Sequence, residues 1–309
     1  VWMTEALDYA VSALVIGALM VGLLAISPVP GKEAADAVAM GTKAALPYAL
    51  SGFSNSAAVL VAAACFIAAA MTATRLDQRI ALQVLSFVPA RAKYVVMGAI
   101  LVGFLLSFIV PSATARVACL MPIMLGFLTA FGADRRSKFA ALVVITAAQT
   151  ASVWNVGIKT AAAQNMVAIG FIERQFGQTI TWGEWFIAGA PFSAAMTVAL
   201  YFIMTRMLKP EMDHIEGGRD AVRQQLLALG QMTLNQWKLL AITLILLGFW
   251  ATEGVLHSVD TTSSTIVAIA LMLMPRIGVM SWKESQKGFP WGTVVLFAIG
   301  IAMGSVLLK

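Results

Sequence analysis

Two short polar segments interrupt long apolar runs, and their residue types suit the binding of a small anion. The first is Pro111-Ser112-Ala113-Thr114-Ala115-Arg116, and the second runs from Trp154 to Thr160. Each lies directly before an apolar run, so each places the start of a helix at a polar break. The first turn of a helix carries unpaired N–H groups and about half a positive charge, which attract anions. We therefore predict a substrate site formed by Ser112, Ala113, Thr114, Asn155, Lys159 and Thr160.

Two cations belong to these segments, and each has two interpretations. Lys159 lies in an apolar context where a charge is costly, which favours a functional role facing the anion. Alternatively, its side chain reaches the surface or pairs with a backbone carbonyl. Arg116 is expected to pair either with the substrate or with a carboxylate of the scaffold. The amides of Asn155, Gln164 and Gln149 either bind substrate or join helices.

The sequence argues against an enzyme or a transition-metal protein. His214 and His257 are isolated, and no His-Glu-x-x-His or Gly-x-Ser-x-Gly pattern occurs. Cys65 and Cys119 lie inside apolar runs, which excludes a disulfide framework. We predict no catalytic residue, no metal site and no cofactor, with a bound sodium ion as the one possible exception.

The composition predicts an all-α polytopic membrane protein. Hydrophobic residues make up 60% of the 309 residues and charged residues 12%. The apolar runs are continuous, which favours helices over alternating strands, and there is room for about eight to ten elements of about 20 residues. The net charge of +6 comes from basic loops that set orientation, so we expect the lipid bilayer as a partner and no nucleic acid. We expect a multi-pass protein of a bacterial inner membrane.

A helical hairpin at about residues 92–133 carries the first polar segment. Basic residues flank both outer ends, so the chain returns to the membrane face that it left: Arg91, Lys93, Arg135, Arg136 and Lys138. The polar segment is then either a turn on the opposite surface or the tip of a re-entrant hairpin, and Pro111 beside two hydroxyl residues favours the tip. The second segment divides a discontinuous helix at about residues 138–172.

An internal repeat divides the chain. Residues 1–208 form the predicted first repeat, 209–236 a polar cytoplasmic connector, and 237–309 the start of a second repeat. Trp2-Met3-Thr4-Glu5 matches Trp250-Ala251-Thr252-Glu253, and we expect each Thr-Glu pair to begin a helix. The predicted topology places the two motifs on opposite faces, so the repeats are inverted, which is typical of alternating-access transporters. The second repeat has no hairpin, so we expect a C-terminal truncation.

Several motifs, in this order, resemble the divalent anion/sodium symporters, which carry dicarboxylates and tricarboxylates. They are the Trp-x-Thr-Glu-Ala start, Arg79-Ile80-Ala81-Leu82, the segment from Pro111 to Arg116 followed by Leu120-Met121-Pro122-Ile123, Ser281-Trp282-Lys283-Glu284 and Lys287-Gly288-Phe289-Pro290-Trp291-Gly292. The resemblance covers nearly the whole chain. It implies a homodimer in which a transport domain moves against a scaffold, as an elevator.

In that family the hairpin tip reads Ser-Asn-Thr and binds both a sodium ion and a substrate carboxylate. Ser112 and Thr114 match this pattern, whereas Ala113 replaces the Asn. The resemblance implies sodium ligands at Ser112 and in the second break, where Gly157 is the candidate. Because Ala113 removes an oxygen ligand, we hypothesise that the Lys159 ammonium replaces the sodium ion.

The predicted function is therefore alternating-access transport of small divalent or trivalent anions, most simply di- or tricarboxylates, by exchange with reduced sodium dependence. The alternatives are sodium-coupled symport of the same anions, transport of sulfate or another oxyanion and, more remotely, a membrane-embedded enzyme.

Overall fold

The computed structural model describes residues 7–28, 39–89, 91–130, 133–134, 136–210, 218–287 and 289–307, so the motif from Trp2 to Glu5 lies outside it. Within these ranges the elements are helical, which confirms the all-α prediction. The α-helices are α1 Tyr9–Ile26, α2 Thr42–Ala49, α3 Ser56–Thr74, α4 Leu76–Ser86, α5 Ala92–Ile109, α6 Ala113–Ala130, α7 Lys138–Val153, α8 Ala163–Phe176, α9 Trp182–Met207, α10 Gly218–Ala228, α11 Leu234–Thr252, α12 Thr261–Leu273, α13 Trp282–Ser285 and α14 Trp291–Leu307. Ser51–Ser54 and Lys159–Ala161 are short 3-10 helices.

Five described helices are long and apolar enough to cross a membrane: α1, α3, α5, α9 and α11. Shorter apolar helices lie at Ala113–Gly126, Lys138–Val153, Thr261–Leu273 and Trp291–Leu307. A span of hydrocarbon needs about 20 helical residues, so the chain is a multi-pass membrane protein.

Side-chain caps explain why several helices start where they do. Ser137 Oγ accepts a hydrogen bond from Ala140 N at 3.1 Å, and α7 begins at Lys138 as predicted. Thr181 with Glu184 and Thr233 with Gln236 form reciprocal capping boxes at the starts of α9 and α11. A cap of this kind stabilises a helix by about 1 kcal/mol.

The Thr252–Glu253 pair does not begin a helix, so that prediction is wrong. Thr252 is the last residue of α11 and Glu253 is its C-cap. Gly254 follows with φ 76°, a left-handed conformation that glycine adopts readily. The chain leaves the helix at this point, and the Glu253 carboxylate is used by the starts of other helices, as described below.

The chain forms two compact units. The first contains residues 1–63, 166–178 and 289–309, and the second contains 64–165 and 179–288, so α3 and α8 contribute to both. Within the first unit, α1 packs against α14 where a Cβ on Gly17 would lie 3.0 Å from Ile299 Cδ1. Gly52 lies against the Ala298 carbonyl so closely that a Cβ would overlap it, so a larger residue is excluded there.

The second unit contains the hairpin and the second polar segment. A Cβ on Gly103 in α5 would overlap the Thr150 side chain in α7, so these two helices approach closely. Next to this contact, the rings of Phe104 and Trp154 lie 4.5 Å apart. The packing of α5 on α7 therefore fixes the end of α7 beside the hairpin.

The predicted connector at residues 209–236 contains α10, whose Val222 is buried in the core of the second unit. From α4, Arg79 donates hydrogen bonds to the carbonyl oxygens of three residues after α10, namely Leu229 at 3.1 Å, Gly230 at 2.9 Å and Gln231 at 3.2 Å. Its Nε also donates to Gln236 Oε1 at 2.9 Å. These bonds attach the connector to α4, which the sequence did not predict.

Candidate functional site

The tip between α5 and α6 consists of Val110, Pro111 and Ser112. Ser112 N donates to the Val110 carbonyl at 2.8 Å, and Ser112 Oγ accepts from Ala115 N at 3.3 Å. Ser112 therefore caps α6, whose first turn contains Ala113 and Thr114. Ser112 and Ala113 are half-buried and Thr114 is exposed, so the start of α6 lies at the surface of its unit.

Arg116 joins the tip to the second polar segment. Its side chain is buried, at 1% exposure. Nη1 donates to the carbonyl of Val110 at 2.7 Å and to that of Ala161 at 3.3 Å. Nη2 donates to the carbonyl of Ala151 at 2.7 Å and to Asn155 Oδ1. The guanidinium thus uses backbone and amide oxygens, whereas the sequence predicted substrate or a carboxylate as its partner.

The segment between α7 and α8, hereafter the break, comprises residues 154–162. It consists of turns from Trp154 to Gly157 and the 3-10 helix Lys159–Ala161. The buried amide of Asn165 donates to the carbonyl of Ile158 at 3.0 Å and to that of Asn155. These bonds satisfy backbone oxygens that a continuous helix would have used internally.

Helix α9 contacts the break through its polar side chains. Trp185 Nε1 donates to the Val156 carbonyl at 2.8 Å, and Ser193 Oγ donates to the Val153 carbonyl at 2.9 Å. A Cβ on Gly189 would lie 2.7 Å from the Val156 oxygen, so only glycine allows this approach. The break is therefore packed directly against the backbone of α9.

Lys159, Thr160 and Gly157 are buried in this packing. Lys159 Nζ donates to the Ile180 carbonyl at 2.7 Å and lies 4.0 Å from Glu253 Oε2. Thr160 Oγ1 accepts from Trp182 Nε1 at 3.3 Å. Lys159 thus has the carbonyl partner that the sequence left as one alternative, together with a carboxylate that it did not predict.

Glu253 collects hydrogen bonds from two helix starts. Its Oε2 accepts from Trp182 N at 3.1 Å and from Thr261 Oγ1 at 2.6 Å, and its Oε1 accepts from Thr261 N at 3.1 Å. A carboxylate is favourable at a helix N-terminus because of the partial positive charge there. The sequence signal for Glu253 is its place in the Thr-Glu motif that precedes α12.

The structure thus brings Ser112 and Asn155 into one cluster through Arg116, with Ala113 and Thr114 on the adjoining turn of α6. Lys159 and Thr160 have their contacts on the side that faces α9. The sequence did not place Asn165 or Glu253 at the site, and it named Arg116 without assigning it a position there.

Two other features of the described residues do not point to a different site. They contain no group of three or more His, Cys, Asp and Glu side chains that could hold a metal ion. A cavity of about 730 Å³ lies in the first unit, and the predicted site residues are not among those that line it, which include Tyr48, Phe171 and Arg174.

Comparison with known proteins agrees with the resemblance. Residues 1–309 match the model of the sodium:sulfate symporter transmembrane region. A membrane protein of Cupriavidus necator is 51% identical over 309 residues, which are 100% of this chain and 60% of that protein.

Two further relatives have named activities. The citrate/succinate antiporter of Escherichia coli K12 is 26% identical over 288 residues, which cover 90% of this chain and 58% of the antiporter. The sodium-dependent dicarboxylate transporter of Staphylococcus saprophyticus is 24% identical over 327 residues, with 98% and 59% covered. The chain therefore spans about 60% of the length of these three relatives.

Proposed function

The chain belongs to the sodium:sulfate symporter family, the divalent anion/sodium symporters, and from this premise we propose that the protein is a secondary active transporter of di- or tricarboxylates. This is a family of transporters and not of enzymes. Two relatives support the substrate class, since one is a citrate/succinate antiporter and another a sodium-dependent dicarboxylate transporter. Transport occurs by alternating access between inverted repeats, in a homodimer of the bacterial inner membrane. Residues 1–208 form the first repeat, and residues 237–309 form the start of the second, after the connector at 209–236.

The observation that carries the proposal is the cluster joined by Arg116. In it, the start of α6 lies beside the break, and Ser112, Ala113, Thr114 and Asn155 are half-buried or exposed. We propose that the hairpin at 92–133 is re-entrant and that α7 and α8 form one discontinuous helix at 138–172. The four residues Ser112, Ala113, Thr114 and Asn155 then bind a substrate carboxylate. The partial charge at the start of α6 and the charge of Arg116 both favour an anion there.

The contacts of Arg116 also bear on the sodium ion. Its two terminal nitrogens donate to oxygens of the tip and of the residues around the break, from Val110, Ala151, Asn155 and Ala161. A sodium ion shared by these two segments would use oxygens of the same kind. We therefore propose that Arg116 is the fixed cation that replaces the sodium ion. Lys159 does not have this role, because it is paired with Glu253. Ala113 and Arg116 together favour exchange of one anion for another.

The test uses the complete protein in proteoliposomes loaded with unlabelled succinate. Radiolabelled succinate should enter without a sodium gradient, and the rate should fall to background in empty vesicles. The Ser112→Ala/Thr114→Ala double variant should lose uptake, whereas Thr129→Ala in the same helix should retain it. An absolute requirement for a sodium gradient would support symport instead. Competition by sulfate but not by citrate would support an oxyanion transporter, and no uptake of any of these anions would refute the proposal.

A further inference from the structure

Two sets of segments meet at Glu253. The first set is the break with α9. Hydrogen bonds from Trp185 to Val156, from Ser193 to Val153 and from Trp182 to Thr160 hold it together, and the close approach of Gly189 leaves no room between the two backbones. These segments therefore form one packed set.

The second set consists of the end of α11 and the start of α12. Glu253 follows α11 directly, and both of its oxygens bind Thr261. Trp250 Nε1 in α11 also donates to Thr265 Oγ1 in α12 at 3.2 Å. Glu253 is therefore attached to α12 independently of the break.

Among the described residues, Glu253 makes two polar contacts between the sets. It accepts the hydrogen bond of Trp182 N at 3.1 Å and lies 4.0 Å from Lys159 Nζ. Both side chains are largely buried while the two sets are in contact, with 7% and 11% of their surface exposed, and separation of the sets would bring both into contact with water. An ion pair opened to water loses far less than one opened in a dry core, where each ion would remain unsolvated. These contacts thus suit a junction that opens and closes.

We propose that the Lys159–Glu253 junction is a lock, which holds the break and α9 against α11 and α12 in one state of the transporter and opens in each transport cycle. This inference rests on the proposed function, because an anion that binds at the break would bias the position of the first set. Lys159 and Glu253 are thus positioning residues that act through the break, and neither is required to touch the substrate.

A cysteine at position 183 reports the opening independently of transport. A Cβ on Gly183 in α9 would lie 3.9 Å from the Ala251 carbonyl of α11, an ordinary contact that accommodates the new side chain. The full-length protein would carry Gly183→Cys in a Cys65→Ala/Cys119→Ala background. Its rate of labelling by a membrane-impermeant maleimide is then measured with and without succinate.

We expect Glu253→Gln to accelerate labelling by about fivefold or more, and Lys159→Met to do the same, since either variant removes the ion pair. The exchange variant Lys159→Glu/Glu253→Lys should bring the rate back towards that of the reporter protein. Asp260→Asn is the matched control, because it changes the carboxylate that caps α12 next to Glu253 and keeps a capping side chain. Succinate should change the labelling rate of the reporter protein and have less effect on Glu253→Gln.

Equal labelling of the reporter protein and Glu253→Gln would overturn the lock, whether or not the protein transports anions. Equal acceleration by Asp260→Asn would also overturn it, since that result indicates general loosening around the start of α12. Acceleration by Glu253→Gln alone, in a protein that transports none of the tested anions, would support the lock and refute the proposed function.

Discussion

Arg116 in the first turn of α6 donates a 2.7 Å hydrogen bond to the carbonyl oxygen of Ala151 in the last turn of α7. This bond joins the hairpin to the helix that precedes the break. The guanidinium is buried, and so are Val110, Ala151 and Ala161, which supply its backbone acceptors. This side chain therefore adds a polar link between the two polar segments to the packing of α5 on α7.

Substitution of Arg116 should destabilise the protein and make its unfolding temperature depend on sodium. In Arg116→Ala the Ala151 carbonyl loses the guanidinium donor and the Val110 carbonyl keeps only the hydrogen bond from Ser112 N, at a cost of about 1–3 kcal/mol for a buried acceptor left unsatisfied. Because these oxygens are then free to coordinate a cation, sodium chloride should raise the unfolding temperature of the variant relative to choline chloride. Thermal unfolding in detergent measures both effects.

Arg116→Lys is the control for that experiment, because it keeps the charge and loses the fork that reaches both segments. It should be less destabilised than Arg116→Ala and should respond less to sodium. If Arg116→Ala unfolded at the same temperature in both salts, Arg116 would not stand in for a sodium ion.

A methyl group at position 189 should displace the break. The new Cβ of Gly189→Ala would lie 2.7 Å from the Val156 oxygen and 3.2 Å from Gly157 Cα, both of them backbone atoms. Overpacking of this kind costs about 1–3 kcal/mol. We expect a lower unfolding temperature and a loss of succinate exchange.

Gly248→Ala in α11 is the matched substitution, because no atom lies within 4 Å of its new Cβ. It should be neutral or stabilise the helix by up to about 1 kcal/mol. Exchange activity in Gly189→Ala equal to that of Gly248→Ala would show that the position of the break does not matter.

Asp77 predicts a pH dependence of stability. Burial raises the pKa of this carboxyl above its ordinary value, while hydrogen bonds from Gln78 N and the Cys119 thiol act in the opposite direction. A raised folded-state pKa gives stability that is complete below the unfolded pKa and is lost as pH rises through the folded pKa. Asp77→Asn should therefore remove a loss of stability that begins near pH 4 and should raise the unfolding temperature at neutral pH.

The unfolding temperature is measured from about pH 4 to neutral pH. The control is the Asp220→Asn variant, whose substituted side chain is exposed on α10. Asp220→Asn should leave the unfolding temperature at neutral pH unchanged, because its side chain is exposed. An Asp77→Asn profile parallel to that of the unaltered protein would refute the role of burial.

The sequence predicted the elements that local signals define. The predicted helix start at residue 138 is that of α7, which Ser137 caps, and the predicted polar break follows Val153, where α7 ends. The two polar segments were predicted because a run of apolar residues makes each interruption visible. The family was predicted from motifs in order, and the comparisons confirm it.

The partners of the charged residues could not be predicted in this way. The contact of Lys159 with Glu253 joins parts of the chain that are far apart in sequence, and so does the bond from Arg116 to Ala161. Periodicity shows which face of a helix is apolar, but it does not show which distant helix lies against it. The prediction for Thr252 and Glu253 was wrong for the same reason. A Thr-Glu pair is typical of a helix start, and the sequence does not show that the Glu253 carboxylate accepts hydrogen bonds from the starts of two other helices, α9 and α12.

The bonds of Arg79 to the connector have a consequence for how the protein is made. The last acceptor of this side chain, Gln236, lies 157 residues later in the chain. At a translation rate of about 5–20 residues per second, roughly 8–30 s pass between the synthesis of the donor and that of this acceptor. During that interval the guanidinium of Arg79 must be satisfied by water or lipid headgroups. The attachment of α4 to the connector is thus completed late in biogenesis, after the synthesis of α11 has begun.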